Sequence, residues 1–316
     1  MTGTAPVHWP DEIDDIIGGD QVVAFGYVTP ARGVVLTPMT NFGLRDRAGG
    51  NLTPLNSSVA MWRKLQRIRE SPRIAIAYHT RTHSYSDRPE YVLVQGRASV
   101  SEFDDREWLE RHRDSWERFA GPRDVGPLWE RYLRVYHWRV GIEIAVERMV
   151  VWPDLACAAE YEVLGGSLPG IPVEQAAPKK GTGPRVDAGR ALRHAGVVEN
   201  RLLSWVGDDG YPVILPVNGV GVGAAGLELA APSGWVPPGG RRAGMLAHSF
   251  ARYTYGQNLR KYTGWMEYED DRLVYAPHTK AGYHIPWSRS AYRLAAGFGT
   301  WRGYRQGRRA GYLPAG

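Results

Sequence analysis

Cationic side chains gather around one predicted helix start. Arg32 precedes a β-rich run over residues 33–37, and Ser57, Ser58, Arg63 and Lys64 surround or follow the beginning of a helix over residues 58–70. Exposed N–H groups and the partial positive charge of a helix start attract anions, while Arg adds a planar fork of donors and Lys a point charge. Taken singly, each residue is of the kind that solvated surfaces carry. Their combination at fixed spacing points to a phosphate.

Other chemistry is less well supported. His79 and His83 stand four apart, a metal-ligating spacing only on a helix, whereas here they fall at a strand end and a loop, so no metal site is expected. The single cysteine, Cys157, excludes an intrachain disulfide and is expected to be buried and inert. The glycine-rich run over residues 219–226 does not open a helix, so it reads as a strand turn rather than a dinucleotide loop. No Gly-x-Ser-x-Gly elbow supports a serine hydrolase.

The elements that must position the cationic set are mostly strands. A short helix over residues 10–17, with acids in its first turn and Gly18-Gly19 as its stop, precedes strands over 21–27 and 33–38 joined by a turn at 29–32. A turn at 47–50 leads to a strand over 51–55. The helix over 58–70 ends at Pro72, and core strands over 73–78 and 91–100 follow. Amphipathic helices over 104–119 and 127–138 precede a closing strand over 141–152. Residues 164–184, rich in Gly and Pro, read as a linker.

The pattern then partly returns. Residues 201–216 have the strand, turn, strand layout of residues 22–38, and RRAGMLAH (residues 241–248) matches PRIAIAYH (residues 72–79). Strands over 263–269 and 272–277 meet at Asp270-Asp271. Where the first half has its cationic helix, the second has PSGWVPPGG, which proline and glycine keep from being helical.

Three segments in order resemble the pyridoxamine 5′-phosphate oxidase-like, FMN-binding split-barrel family. PARGVVL (residues 30–36) looks like its strand with a phosphate-binding Arg, WRKLQRIRESPR (residues 62–73) like its Ser-Arg-Lys helix, and VLVQGRA (residues 92–98) like its next core strand. The closing VERMVVW (residues 146–152) is also typical. The resemblance implies that Arg32, Ser57, Ser58, Arg63 and Lys64 hold a flavin phosphate and ribityl chain. It implies too that main chain at Val34, Val35 and Leu36 and the Gln95 side chain approach the ring. Two positions depart: the family's strand-end lysine is Thr37 here and its helix serine is Trp62.

The expected fold is therefore mainly β with peripheral helices, an α+β arrangement of tandem split β-barrels whose second copy is degenerate. The expected division is an FMN-binding barrel over residues 1–160, a linker over 161–185, a second barrel-like domain over 186–300 and a basic tail over 301–316. The implied function is a flavin-dependent oxidoreductase using FMN, with FAD or a deazaflavin as alternatives and a small-molecule substrate. The rival reading is a haem-binding or flavin-binding carrier or sensor, with His79, His248, His278 or His284 as axial ligand. Trp235, His248, Trp265 and Arg242 are candidate linings contributed by the second half, which would make an intrachain pseudo-dimer unless the chain forms a homodimer.

A net charge of +6 raises the question of nucleic acid, but from Arg272 onward every charged residue is Lys or Arg, so the excess is local. A solvated tail is expected, and nucleic acid is not the expected partner. No apolar run long enough for a membrane span is present, and the opening MTGTAPVHWPDEIDDII is acidic where a secretory signal is basic and then apolar. The expected location is cytoplasmic.

Overall fold

The computed structural model describes residues 5–103, 105, 107–122, 126–285 and 287–313, the side chains of residues 54–56 apart. Helix α1 (Asp11–Gly19) leads into β1 (Val22–Val28), β2 (Val34–Thr40), β3 (Leu44–Asp46) and β4 (Asn51–Ser58). A 3-10 turn (Val59–Met61) and α2 (Trp62–Glu70) follow, then β5 (Arg73–Tyr78) and β6 (Tyr91–Val100). Next come α3 (Trp108–Arg111), α4 (Arg113–Ala120), α5 (Pro127–Tyr132), α6 (Arg134–His137), the long β7 (Arg139–Trp152) and β8 (Glu162–Gly165). The second half comprises α7 (Ala188–Gly196), β9 (Asn200–Val206), β10 (Pro212–Pro216), β11 (Asn218–Gly223), β12 (Gly226–Ala230), β13 (Gly239–Ser249), β14 (Asn258–Glu269) and β15 (Arg272–His284). Helix α8 (Arg289–Arg309) ends the described fold.

The first sheet runs β2-β1-β5-β6-β7-β4-β3, with β8 beside β7, and the second runs β10-β9-β13-β14-β15-β12-β11. Adding eight to each label of the first order gives the second. All pairings are antiparallel. The fold is thus mainly β with peripheral helices, two split barrels in tandem, the second lacking the helix that follows β4.

Strand alternation explains how the halves meet. On β1, β5 and β6, Val23, Phe25, Tyr27, Ile74, Ile76, Val92 and Val94 fill the first barrel's own core. Their neighbours Ala24, Ala75, Ala77, Tyr91 and Leu93 point the other way, into a core shared with Leu203, Trp205, Ile214 and Met245. These strands read as unbroken apolar runs because both faces are buried. Small residues bring the sheets close: a Cβ on Gly244 would lie 2.4 Å from the Val34 carbonyl oxygen. Polar contacts fix the register, with Tyr91 Oη donating to the Ile214 carbonyl at 2.8 Å and Arg148 Nη2 reaching Asp209 at 2.6 Å.

Several boundaries depart from sequence expectation. Helix α1 runs through Gly18-Gly19, whose missing side chains admit Arg45 and Ser86. The strand expected over 51–55 continues to Ser58, and the helix start becomes a 3-10 turn capped by Ser58, whose hydroxyl accepts from Ala60 N at 3.3 Å. The helices expected over 104–119 and 127–138 are each interrupted, at His112 and Leu133, where the backbone leaves helical geometry; residues 104 and 106 lie outside the described residues. Strand β8 lies within the stretch 161–185, and residues 301–309 of the expected tail belong to α8, with 314–316 outside the described residues. Cys157 is buried, and burial pushes its thiol pKa up. Among the described residues no helix is long and apolar enough to cross a membrane.

Candidate functional site

At the Thr40 end of β2 the two halves enclose a cavity of about 290 Å³. The first half supplies Met39 from β2, Ser57 and Ser58 from β4, and Lys64 from α2; the second supplies His248, Phe250, Lys261 and Tyr283. Trp116 and Tyr136 from α4 and α6, Arg139 at the start of β7, and Tyr292 and Thr300 from α8 close it. Among the described residues no Asp or Glu lines it.

Three cations therefore share a cleft without a carboxylate. Lys64 is only partly exposed and its Nζ lies 3.4 Å from Met39 Sδ. Burial, then the charges of Lys261 and Arg139, lower its pKa to about 7. Burial and the Arg67 charge lower that of Lys261 as well. The Arg139 guanidinium lies over the rings of Tyr136 at 4.2 Å and Trp116 at 4.6 Å. Ser57 Oγ is buried without a hydrogen-bond partner, an arrangement that invites a ligand acceptor. Ser58 differs, because its hydroxyl already donates to the Val135 carbonyl at 3.0 Å. The walls are aromatic: Trp116 stacks on Phe42 at 5.5 Å, and the hydroxyls of Tyr136 and Tyr292 meet at 3.0 Å. The donor set suits an anion, and the walls suit a flat ring.

Of the residues singled out in sequence as site candidates, Ser57, Ser58, Lys64 and His248 line this cleft, and Arg32 and Arg63 do not. Arg63 neighbours Lys64 on α2, where one residue turns the side chain about 100°; it is exposed and lies over Trp62 at 5.0 Å. Arg32 occupies a left-handed turn (φ 57°) at the far end of β2, about 25 Å of extended chain from Thr40. It borders a separate cleft with Arg242 and Gln175, whose Nε2 donates to the Arg32 carbonyl at 3.0 Å. Val34 and Leu36 are buried in the shared core and Val35 in the first barrel's. Gln95 is buried between the halves, its Oε1 accepting from Arg148 Nε at 2.6 Å and its Nε2 donating to the Pro212 carbonyl at 2.7 Å. The cations of this cleft are thus Lys64, Lys261 and Arg139, while Arg32 and Arg63 lie elsewhere. The alternation in NLRKY (residues 258–262), which sets Leu259 and Lys261 on one face, was the signal for Lys261.

His79 and His248 face each other across the halves, Nε2 to Nε2 at 2.9 Å. Strand pairing makes them equivalent positions: His79 directly follows β5 and His248 is the penultimate residue of β13, the third strand of each sheet order; His248 pairs with Asn200 at the start of β9, and the β1–β5 register carried two residues on sets His79 opposite Val22 at the start of β1. By the same registers Leu93 stands where Lys261 does and Trp152 where Tyr283 does. Trp235, in the loop that replaces α2, packs on Trp152 and on Tyr161 at 4.8 Å each, beside a cavity of about 410 Å³ with no charged residue among its described lining residues. Trp265 lies under Arg242, 5.9 Å away. His83 sits in a left-handed turn, His278 pairs with the Thr182 carbonyl, and His284 is exposed. Among the described residues no three His, Cys, Asp or Glu side chains converge as a metal set.

No family model and no curated protein matches this chain. Solved structures do. One is a protein from Clostridium acetobutylicum related to general stress protein 26 of B. subtilis and described as pyridoxinephosphate oxidase family, 13% identical over 48% of this chain and 90% of that one, with a TM-score of 0.31. A conserved hypothetical protein from Mycobacterium tuberculosis is 21% identical over 56% of this chain and 99% of its own, with a TM-score of 0.35. A pyridoxamine 5′-phosphate oxidase-related, FMN-binding protein from Nostoc punctiforme is 11% identical over 63% and 88%, with a TM-score of 0.29.

Proposed function

We propose that the cleft binds a flavin, FMN foremost with FAD or a deazaflavin as alternatives, and that the chain is a flavin-dependent oxidoreductase acting on a small molecule. One observation carries this reading: three cations, a partnerless buried hydroxyl and aromatic walls share a single cleft with no carboxylate among its described lining residues. The donor set fits a phosphate-bearing ring. Lys64, Lys261 and Arg139 neutralise the phosphate, the Ser57 hydroxyl donates to it or to the adjoining chain, and the buried rings of Phe250 and Trp116 exclude water around the flat end. When bound, a flavin supplies the hydride or electron exchange itself. Residues 1–160 then furnish most of the phosphate end, and residues 186–300 add Lys261 to it and supply the opposite wall, so the tandem barrels act as an intrachain pseudo-dimer.

The test is release of the cofactor from purified protein and measurement of its mass, alongside the variant Lys64→Ala with Lys261→Ala. Each lost charge-assisted contact costs about 1.5 to 3 kcal/mol, or about ten- to a hundredfold in affinity. The double variant is expected to fold, by circular dichroism, and to purify without colour. Full retention of flavin by that variant would refute the assignment, and a Soret absorption in the purified wild type would replace flavin by haem.

A further inference from the structure

Two nitrogens at hydrogen-bond distance share one proton, so one of the pair His79 Nε2 and His248 Nε2 donates and the other accepts. The choice is made on the far side of His79. Its Nδ1 lies 3.1 Å from the Ala77 carbonyl oxygen, which can only accept, so the proton of a neutral His79 resides on Nδ1. His79 Nε2 is then a lone pair, and the proton between the rings belongs to His248. Both rings are neutral: they are 6% and 1% exposed, no carboxylate bonds to either, and the charge facing His79 is that of Arg81. With its proton on Nε2, His248 carries a lone pair on Nδ1. Nε2 is engaged by His79, and His248 lines the cleft, so the polar atom it can offer a ligand is Nδ1.

We propose that His248 Nδ1 is a fixed hydrogen-bond acceptor in the cleft, so that the site selects a ring carrying an N–H donor and rejects the same ring alkylated at that nitrogen. The identity of the ring rests on the flavin reading above, in which the donor is the imide N–H. The tautomers do not rest on it. His79 acts as a positioning residue, passing the polarity of a first-half backbone carbonyl to a second-half side chain. A buried lone pair left facing an alkyl group loses its partner outright, which makes the discrimination steep.

Two measurements on the wild-type protein test this, and one variant extends the second. Long-range proton–nitrogen correlation spectra of the ligand-free protein, labelled with ¹⁵N-histidine, are expected to show His79 as the Nδ1–H tautomer and His248 as the Nε2–H tautomer; the opposite tautomer at His248 overturns the proposal. FMN is expected to bind about ten- to a hundredfold more tightly than 3-methyl-FMN, and His248→Phe should narrow that gap to about twofold or less. Equal affinity of the wild type for both compounds overturns the inference while leaving the flavin reading intact. If FMN does not bind at all, the flavin reading falls, and the tautomers alone decide whether the acceptor stands.

Discussion

Lys64 is a cation that folding disfavours and a ligand would restore. Its amine, lowered to about 7 by burial and by Lys261 and Arg139, binds fewer protons in the folded chain than in the unfolded chain between about pH 7 and the usual lysine value of 10.5. In that window the unfolded state holds the extra proton, so this group makes the ligand-free protein more stable as pH rises and less stable as pH falls toward 7. Part of the side chain reaches solvent, so screening limits the penalty to about 1–2 kcal/mol. Lys64→Met is therefore expected to raise the melting temperature of the ligand-free protein at pH 7 and to flatten its rise above pH 7. A bound phosphate reverses the balance by favouring the ammonium. At about pH 8 the phosphate is already fully ionised, so calorimetric titration with FMN in two buffers of different ionisation heat should show uptake approaching one proton per ligand. Lys64→Met should abolish that uptake, and a wild type that takes up no proton would contradict the assignment. Ser57, Ser58 and Lys64 were legible in the sequence because a helix start is a local signal. Arg139 and Lys261 come to them through strand pairings: alternation in NLRKY shows which face Lys261 takes but not which cleft that face meets, and Arg63, one helix position from Lys64, points away from this cleft.

Helix α8 shows how an element can hide from a reading of composition. Its sequence is basic, glycine-rich and without an apolar stripe, which reads as a solvated tail, yet it spans Arg289–Arg309 and lies on the 3-10 turn, α2 and α6 of the first half. Glycines make the contact face. A Cβ on Gly297 would lie 2.1 Å from the Tyr132 ring, one on Gly303 2.7 Å from the Ala60 carbonyl oxygen, and one on Gly307 2.7 Å from Trp62. Each costs about 1 kcal/mol of helix propensity, which only close packing offsets. The same substitution should then have opposite signs on one helix. At Gly299 nothing lies within 4 Å of an added Cβ, so Gly299→Ala should stabilise by up to about 1 kcal/mol. Gly303→Ala should destabilise by about 1–3 kcal/mol despite its better propensity, because backbone must move. It should also loosen the cofactor, since Tyr292 and Thr300 of this helix line the cleft. Thermal melting and flavin retention of the two variants check this, and a shared sign would contradict it. Helix α7 escaped notice for a related reason: its buried face is Ala188, Ala191 and Ala195, too small to register as apolar periodicity, and its Asp187 cap, accepting from Arg190 N at 2.8 Å, shows only in the structure. By contrast the core strands were legible, because β1, β5 and β6 bury both faces and carry few polar residues.

At the scale of the whole molecule, one strand order used twice creates two equivalent places for a ligand, and the two have diverged. Beside Lys64 the second half contributes Lys261 and Tyr283; at the equivalent place the first half contributes Leu93 and Trp152. The loop carrying Trp235 stands in place of α2, so that location lacks the capped 3-10 turn, the helix and the lysine together. This loss was readable in PSGWVPPGG, since proline and glycine bar a helix whatever the tertiary context. A phosphate placed there would meet Trp152, Tyr161 and Trp235 with no cation among the residues lining the neighbouring cavity, giving up the dominant attraction that the first cleft supplies. Titration of ligand-free protein with FMN should accordingly saturate at one flavin per chain, and the ratio should stay at one if chains associate. Leu93→Lys alone should not raise it, because one point charge without the helix start restores neither the N–H donors nor the partner lysine. Saturation at two per chain would mean that the halves are functionally equivalent despite their different linings, and would remove cation placement as the basis of binding at either one.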